Sequence, residues 1–278
     1  MTFGEKLLDA AALRGRLCVG IDPHAGLLEA WGLPVNVTGL AKFSRICVEA
    51  FADTVALVKP QVAFYEQFGS QGFAVLEETI GALRESGCLV VSDAKRGDIG
   101  STMAGYATAW LDPASPLVSD AVTVSPYLGF GSLAPVLELA EEYGKGVFVL
   151  AATSNPEARE LQDQVGPDGW TISQQIIDAV TEVNAAHAAV GEAGNLGVVV
   201  GATLSNPPHL SALNGPILMP GVGAQGGTAA DIAKIAGDMN HLAFPNVSRS
   251  VLSQGPDMEN LRNSVLKTAS DYPGFPRS

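Results

Sequence analysis

In "LVVSDAKRGDIG" (residues 89–100) an apolar run ends in Asp93, Lys95, Arg96 and Asp98. Four charges at the tip of a buried element cost desolvation free energy unless they are paired or used. Asp93 and Lys95 are two positions apart, so on an extended strand they project to one side. Parity with Val91 makes that side the interior, while Arg96, of opposite parity, is expected to point outward. Lys59, just before Pro60 at the end of "VALVKP", is an isolated cation that can converge on the same point. Alternating signs around one point keep each group charged despite burial. An ammonium held beside a reacting carbon can stabilise developing negative charge and then deliver a proton. The competing explanation is an ion-pair network that merely closes the end of the fold.

A second constellation suits an anion. "PGVGAQGG" (220–227) offers small, flexible positions whose backbone N–H groups can approach phosphate oxygens. Thr228 to Ile235 then reads as a helix whose N-terminus favours negative charge. Gln225 is the loop's only side chain with amide donors, and Arg249, placed at the end of the last strand, supplies a planar fork that matches phosphate.

These groups need a frame. Eight short runs rich in Val, Leu or Ile recur: 17–22, 55–60, 89–95, 121–126, 146–153, 196–202, 216–222 and 242–248. They are too continuous for half-solvated antiparallel strands and read as parallel strands buried on both faces. Helical segments alternate with them, among them 38–53, 73–87, 133–144 and 172–191, several ending at Gly87, Gly144 and Gly191. Eight βα units in one chain predict an α/β fold, a (β/α)₈ TIM barrel forming a single domain over residues 1–278, with a short N-terminal helix and a C-terminal tail. A doubly wound open sheet is the alternative. In a barrel the strand C-termini carry the active site, and the loops after strands seven and eight commonly bind phosphate. The segment 153–170 is long for a connection and is either a lid or a surface excursion. Trp110 and Trp170 are read as packing residues, and the tail 270–278 as a packed or frayed extension without chemistry.

The 278 residues are 47% hydrophobic and 16% charged, with a formal net charge of −13. That balance excludes a general nucleic-acid surface, so an anionic ligand must be held by local donors. No apolar run reaches membrane-span length, and the N-terminus lacks the basic start and apolar core of a signal peptide. Cys18, Cys47 and Cys88 are widely spaced and read as buried free thiols, which suits a reducing cytoplasm. His24, His187, His209 and His241 show no metal-site spacing, so no metal is expected.

"GIDP", Lys59, "DAKRGDIGST", "TSNP", "PGVGAQGG" and "SRS" occur in an order that resembles the orotidine 5′-phosphate decarboxylase family, in its longer bacterial branch, from Leu17 to Leu252. The Asp-x-Lys-x-x-Asp spacing is shared with a wider set of barrels, whereas the Lys-Arg-Gly-Asp-Ile version is more specific. The resemblance implies a lyase of UMP biosynthesis that decarboxylates orotidine 5′-phosphate without a cofactor. It implies a catalytic tetrad of Lys59, Asp93, Lys95 and Asp98, with Lys95 stabilising and protonating the C6 carbanion. Asp22 and Lys59 would hold ribose hydroxyls, Ser154 (or its neighbour Thr153) the pyrimidine, and Gln225, Gly226 and Arg249 the phosphate. It also implies a cytoplasmic homodimer in which Asp98 and Thr102 serve the partner's site.

Two other classes compete with this. A metal-dependent sugar-phosphate decarboxylase or aldolase shares the Asp-x-Lys-x-x-Asp spacing but needs a further acidic ligand at a strand end, for which Glu66 is the one candidate. A catalytically silent phosphoribosyl-binding barrel would need neither Asp93 nor Lys95.

Overall fold

The eight Val, Leu and Ile runs become β1 (Cys18–Ile21), β2 (Leu57–Pro60), β3 (Leu89–Arg96), β4 (Ala121–Val124), β5 (Gly146–Ala152), β6 (Leu196–Val200), β7 (Ile217–Pro220) and β8 (Ala243–Val247) in a computed structural model that describes residues 1–275. Each strand pairs in parallel with its sequence neighbour, and β1 closes on β8, giving a barrel in the order β1 to β8. The open-sheet alternative is therefore excluded. Seven strands are shorter than their apolar runs, whose outer residues fall in the loops, while β3 runs one residue further, to Arg96.

Apart from the first, the helices form an outer layer. α1 (Phe3–Arg14), α2 (Ala25–Ala30), α3 (Val37–Phe51), α4 (Ala63–Glu66), α5 (Gly69–Glu85), α6 (Gly100–Leu111) and α7 (Ala134–Tyr143) occupy the first half. α8 (Arg159–Gln162), α9 (Ile172–Ala188), α10 (Ala229–Ala236), α11 (Arg249–Leu252) and α12 (Met258–Ala269) follow. Their starts carry local signals: Asn36 caps α3, Thr171 caps α9, and Thr228 with Asp231 makes a capping box at α10. Gly144, in the left-handed conformation at φ 58°, ends α7 as expected of a C-terminal glycine.

Two apolar layers hold the fold. One lies between strands and helices; it includes Phe43, Phe51, Leu76, Trp110 and Val180. The other fills the barrel and includes Leu57, Val91, Ala121, Phe148 and Phe244, all fully buried. α1 plugs the end of the barrel where the strands begin. Its Phe3 meets Phe148 edge-on at 5.9 Å, Thr2 Oγ1 donates to the Ala193 carbonyl at 2.6 Å, and Lys6 Nζ donates to that of Gly144 at 2.8 Å. Gly146 makes room for this plug, since a Cβ there would lie 2.4 Å from the Phe3 ring. With one end stoppered, ligand access is left to the other.

The long connection 153–170 is not featureless. It contains a single 3₁₀ turn at Pro156–Ala158, α8, and a bridge between Val165 and Thr171. Trp170 corrects the sequence expectation: its side chain is exposed rather than packed, because the turn that carries it projects from the surface. Trp110 is buried, as anticipated. In the tail, Tyr272 is buried and the Arg16 guanidinium lies over the Phe275 ring at 4.8 Å, so this part is packed; positions 276–278 lie outside the described residues. All three cysteines are buried and free. Among the described residues no helix is long and apolar enough to cross a membrane.

Candidate active site

Inward-facing residues climb each strand in steps of two, and on β2, β3, β4 and β8 the step above the apolar layer is polar, whereas β5 and β7 present Leu150 and Pro220. Leu57 is followed by Lys59, Val91 by Asp93, Ala121 by Thr123, and Phe244 by Asn246. This polar step spans the neighbouring strands β2 to β4, with Gln61 rather than Lys59 in register with Asp93. It creates the floor of a cavity of about 530 Å³ at the strand C-termini, lined by Asp22, Lys59, Asp93, Lys95, Gln225 and Arg249 among others. A volume of this order suits a small organic ligand. Three cations (Lys59, Lys95, Arg249) face two carboxylates (Asp22, Asp93) around it, a local excess of positive charge in an acidic chain.

Asp93 is the centre of the cluster. Its Oδ2 accepts from Lys59 Nζ at 3.0 Å, and its Oδ1 accepts from Lys95 Nζ at 2.5 Å and from Thr123 Oγ1 at 2.9 Å. Burial by itself would raise the Asp93 carboxyl, but the charges of Lys59 and Lys95, and their hydrogen bonds, hold it well below the usual carboxylate range. Burial would likewise lower Lys59, whose side chain is only 5% exposed; the negative charges of Asp93 and Asp22 outweigh it and raise its pKa. A depressed carboxyl stabilises the fold above its unfolded pKa, and a raised ammonium does so below its own. The pair's contribution is therefore fully present between about pH 4 and pH 10 and falls away outside that window.

Lys95 differs from Lys59 in being reachable, with its side chain 44% exposed. Its backbone is left-handed at φ 49°. Simple strand parity, which anticipated a shared face for Asp93 and Lys95, is thus not what brings them together; an irregularity in β3 does. Beyond it, Gly97 passes so close to the residue after β4 that a Cβ would lie 2.4 Å from the Ser125 carbonyl oxygen. That contact explains the glycine in Lys-Arg-Gly-Asp. Arg96 points outward as expected: it pairs with Glu66 and lies over the rings of Tyr106 and Trp110 at 5.6 and 5.9 Å. Glu66 is thereby taken up outside the cavity, where it lines no mouth. No group of three or more His, Cys, Asp or Glu side chains suited to a metal is found among the described residues.

The phosphate-type loop lies across the cavity. Gly221, Gly223 and Gly226 have φ values of 102°, 69° and 88°, and a bridge joins Val222 to Gly227. Gln225 Oε1 accepts from Ser154 Oγ at 3.0 Å, so these two predicted ligand residues are in contact. Thr153 lines the cavity and its Oγ1 donates to Asn155 Oδ1 at 2.7 Å. Arg249 corrects one expectation: it does not end β8 but opens α11, because β8 stops at Val247. It still reaches the cavity wall. Asp22 Oδ1 is buried without a hydrogen-bond partner. A buried orphan acceptor facing a cavity is poised for a ligand donor such as a hydroxyl.

Asp98 and Thr102 are not brought to this cavity. Asp98 follows the turn at Gly97, and its Oδ1 accepts from the Ile99 N–H at 2.8 Å; Thr102 is exposed on α6. Ile99, between β3 and α6, and Tyr127 and Leu128, on the connection after β4, are exposed apolar side chains at 62%, 77% and 53%. Sequence reasoning missed Thr123, Asn246, His24 and Gln61. The first two were legible as inward positions two residues above an apolar one. His24 and Gln61 sit on loops just past strand ends, where no pattern marks orientation.

Comparison with known proteins supplies a context for this geometry. Residues 15–263 match the model of the orotidine 5′-phosphate decarboxylase / HUMPS family. An orotidine 5′-phosphate decarboxylase of Corynebacterium glutamicum (strain R) is 77% identical over 278 residues, covering 100% of both chains. One from Salinispora tropica is 53% identical over 271 residues, covering 97% of this chain and 96% of its own. A Streptomyces avermitilis crystal structure that carries the same decarboxylase assignment superposes with a TM-score of 0.93 at 52% identity, covering 97% of this chain and 94% of that one.

Proposed function

Because the chain belongs to the orotidine 5′-phosphate decarboxylase family and is a carboxy-lyase of that kind, we propose that it converts orotidine 5′-phosphate to uridine 5′-phosphate in pyrimidine biosynthesis, in the cytoplasm and without a cofactor. The observation that carries this reading is the Lys59–Asp93–Lys95 array, with a single reachable ammonium at its outer end. In this reading Asp22 and Lys59 take the ribose hydroxyls, and Ser154 with Gln225 meets the pyrimidine and phosphate. Gly226 offers a backbone N–H, and Arg249 pairs with the phosphate.

Departure of CO₂ from C6 of the pyrimidine leaves an electron pair with no carbonyl placed to delocalise it. The Lys95 ammonium stabilises that charge and then hands its proton to C6, so the lysine ends neutral and regains a proton from water. Asp93 faces the departing carboxylate. At 4 Å and an effective dielectric of about 20, that repulsion amounts to about 4 kcal/mol. Enzymatic accelerations commonly demand about 8–23 kcal/mol. Carbanion stabilisation and the binding of the remote phosphate must supply the larger share. The exposed apolar side chains of Ile99, Tyr127 and Leu128 support a homodimer in which Asp98 and Thr102 complete the partner's site.

The direct test is the loss of pyrimidine absorbance on mixing protein with orotidine 5′-phosphate in the presence of a chelator. Unchanged turnover is expected. Activity that vanishes with chelator and returns with Mg²⁺ would favour a metal-dependent barrel instead.

Arg249→Ala is expected to raise KM by about 10- to 100-fold, since a hydrogen bond to a charged group contributes about 1.5–3 kcal/mol. kcat should fall as well if phosphate binding draws the loops closed, while the circular dichroism spectrum stays that of wild type. An Arg249→Ala enzyme with unaltered kcat/KM would remove this residue from the site.

A further inference from the structure

β3 and β4 do not run in step. Their Cα partners are Ser92 with Val122 and Arg96 with Val124, so four steps along β3 match two along β4. The surplus lies at Asp93, Ala94 and Lys95, and Lys95 takes the left-handed conformation at φ 49°. A side chain larger than glycine is costly there and persists only when its surroundings hold it. A bulge also strips N–H and carbonyl groups of their ladder partners. Here the Ala94 carbonyl accepts from Arg96 Nη1 at 3.2 Å. The Lys95 N–H donates at 2.9 Å to the Oγ1 of Thr123, the one β4 residue between the two registered pairs.

The same hydroxyl donates to Asp93 Oδ1 at 2.9 Å, the oxygen that also accepts from Lys95 Nζ at 2.5 Å. The directions are unambiguous, because an amide N–H only donates and a carboxylate only accepts. Lys95 is therefore tied at both ends, backbone and ammonium, into one closed ring that passes through Thr123 and Asp93. Thr123 is 1% exposed, and its β-branched side chain has few rotamers to choose from.

We propose that Thr123 is a positioning residue for the decarboxylation: its hydroxyl substitutes for the missing ladder acceptor, holds the left-handed turn at Lys95, and fixes the carboxylate that aims the ammonium. This rests on the reading of Asp93 and Lys95 as the reacting pair. It assigns Thr123 no contact with substrate.

Thr123→Val replaces the hydroxyl with a methyl group of similar shape and leaves the strand intact. It is expected to lower kcat by about 10- to 100-fold with KM within about threefold of wild type, and Thr123→Ser should restore kcat to within about threefold. A purely structural role would not split kcat from KM, nor would it be rescued by the smaller serine. Wild-type kcat in Thr123→Val, or equal impairment in Thr123→Ser, overturns the proposal. If Thr123→Val does not fold, Thr123→Ser against Thr123→Ala decides, with equal kcat in the two counting against it. Wild-type kinetics in Thr123→Val beside an active wild type sink only this proposal, whereas a wild type inert toward orotidine 5′-phosphate sinks the reading of the site and this proposal with it.

Discussion

Lys95→Ala is expected to lose at least about 10⁴-fold in kcat, the largest single effect in this protein. Two contributions vanish together. A placed general acid accelerates by about 10²–10⁴-fold, and a preorganised charge aimed at the transition state by about 10²–10³-fold. Binding should suffer far less, because the residues proposed to hold phosphate and ribose are others than Lys95. The fold should also hold: the Lys95 side chain is 44% exposed, and its removal leaves Asp93 still bonded to Lys59 and Thr123. The measurement is single-turnover decarboxylation together with the affinity for uridine 5′-phosphate. A Lys95→Ala enzyme that keeps more than about a hundredth of wild-type kcat would be incompatible with a proton delivered by this lysine.

Mixing two dead enzymes should restore activity. Asp98 lies beyond the turn at Gly97 and is absent from its own cavity, so it is proposed to complete the site of the partner subunit. Lys95→Ala and Asp98→Ala homodimers are each expected to be nearly inactive. In a symmetric dimer that exchanges these residues, a mixed pair has one site lacking both and one site lacking neither. Random association makes about half of the dimers mixed, so about a quarter of all sites should regain wild-type turnover. The mixture without unfolding and refolding should stay inactive for as long as subunits do not exchange. If exchange is demonstrated by differential tags and turnover does not return, Asp98 acts within its own chain and the shared site is wrong.

Much of this architecture is legible in the linear chain. The eight apolar runs are continuous because parallel strands in a barrel are buried on both faces, and no helix of comparable length would leave such short uniform blocks. Their polar ends name the cavity floor, since an isolated Lys59 or Asp93 at the close of an apolar run is costly unless neighbours neutralise it. The capping box at Thr228 and the glycine at the end of α7 are local signals, and the local backbone obeys them. α6 and α12 carry weaker linear signals. "GSTMAGYATAWL" carries small residues and two internal turn formers with little polar face, and α12 packs on α3 from the far end of the chain.

What no reading along the chain could supply depends on contacts between distant residues. The left-handed turn at Lys95 exists because β3 carries two residues more than β4 between matched pairs, and that mismatch is defined only once the strands are paired. Thr123 becomes significant by lying opposite it, 30 positions from Asp93 in sequence. Glu66 looked available as a metal ligand, yet Arg96 removes it from the cavity, a pairing across 30 positions that spacing does not announce. Residue types declare their chemistry locally because burial penalises every unpaired charge wherever it occurs. Which partner satisfies each charge is decided by strand register and helix docking, which are properties of the closed barrel.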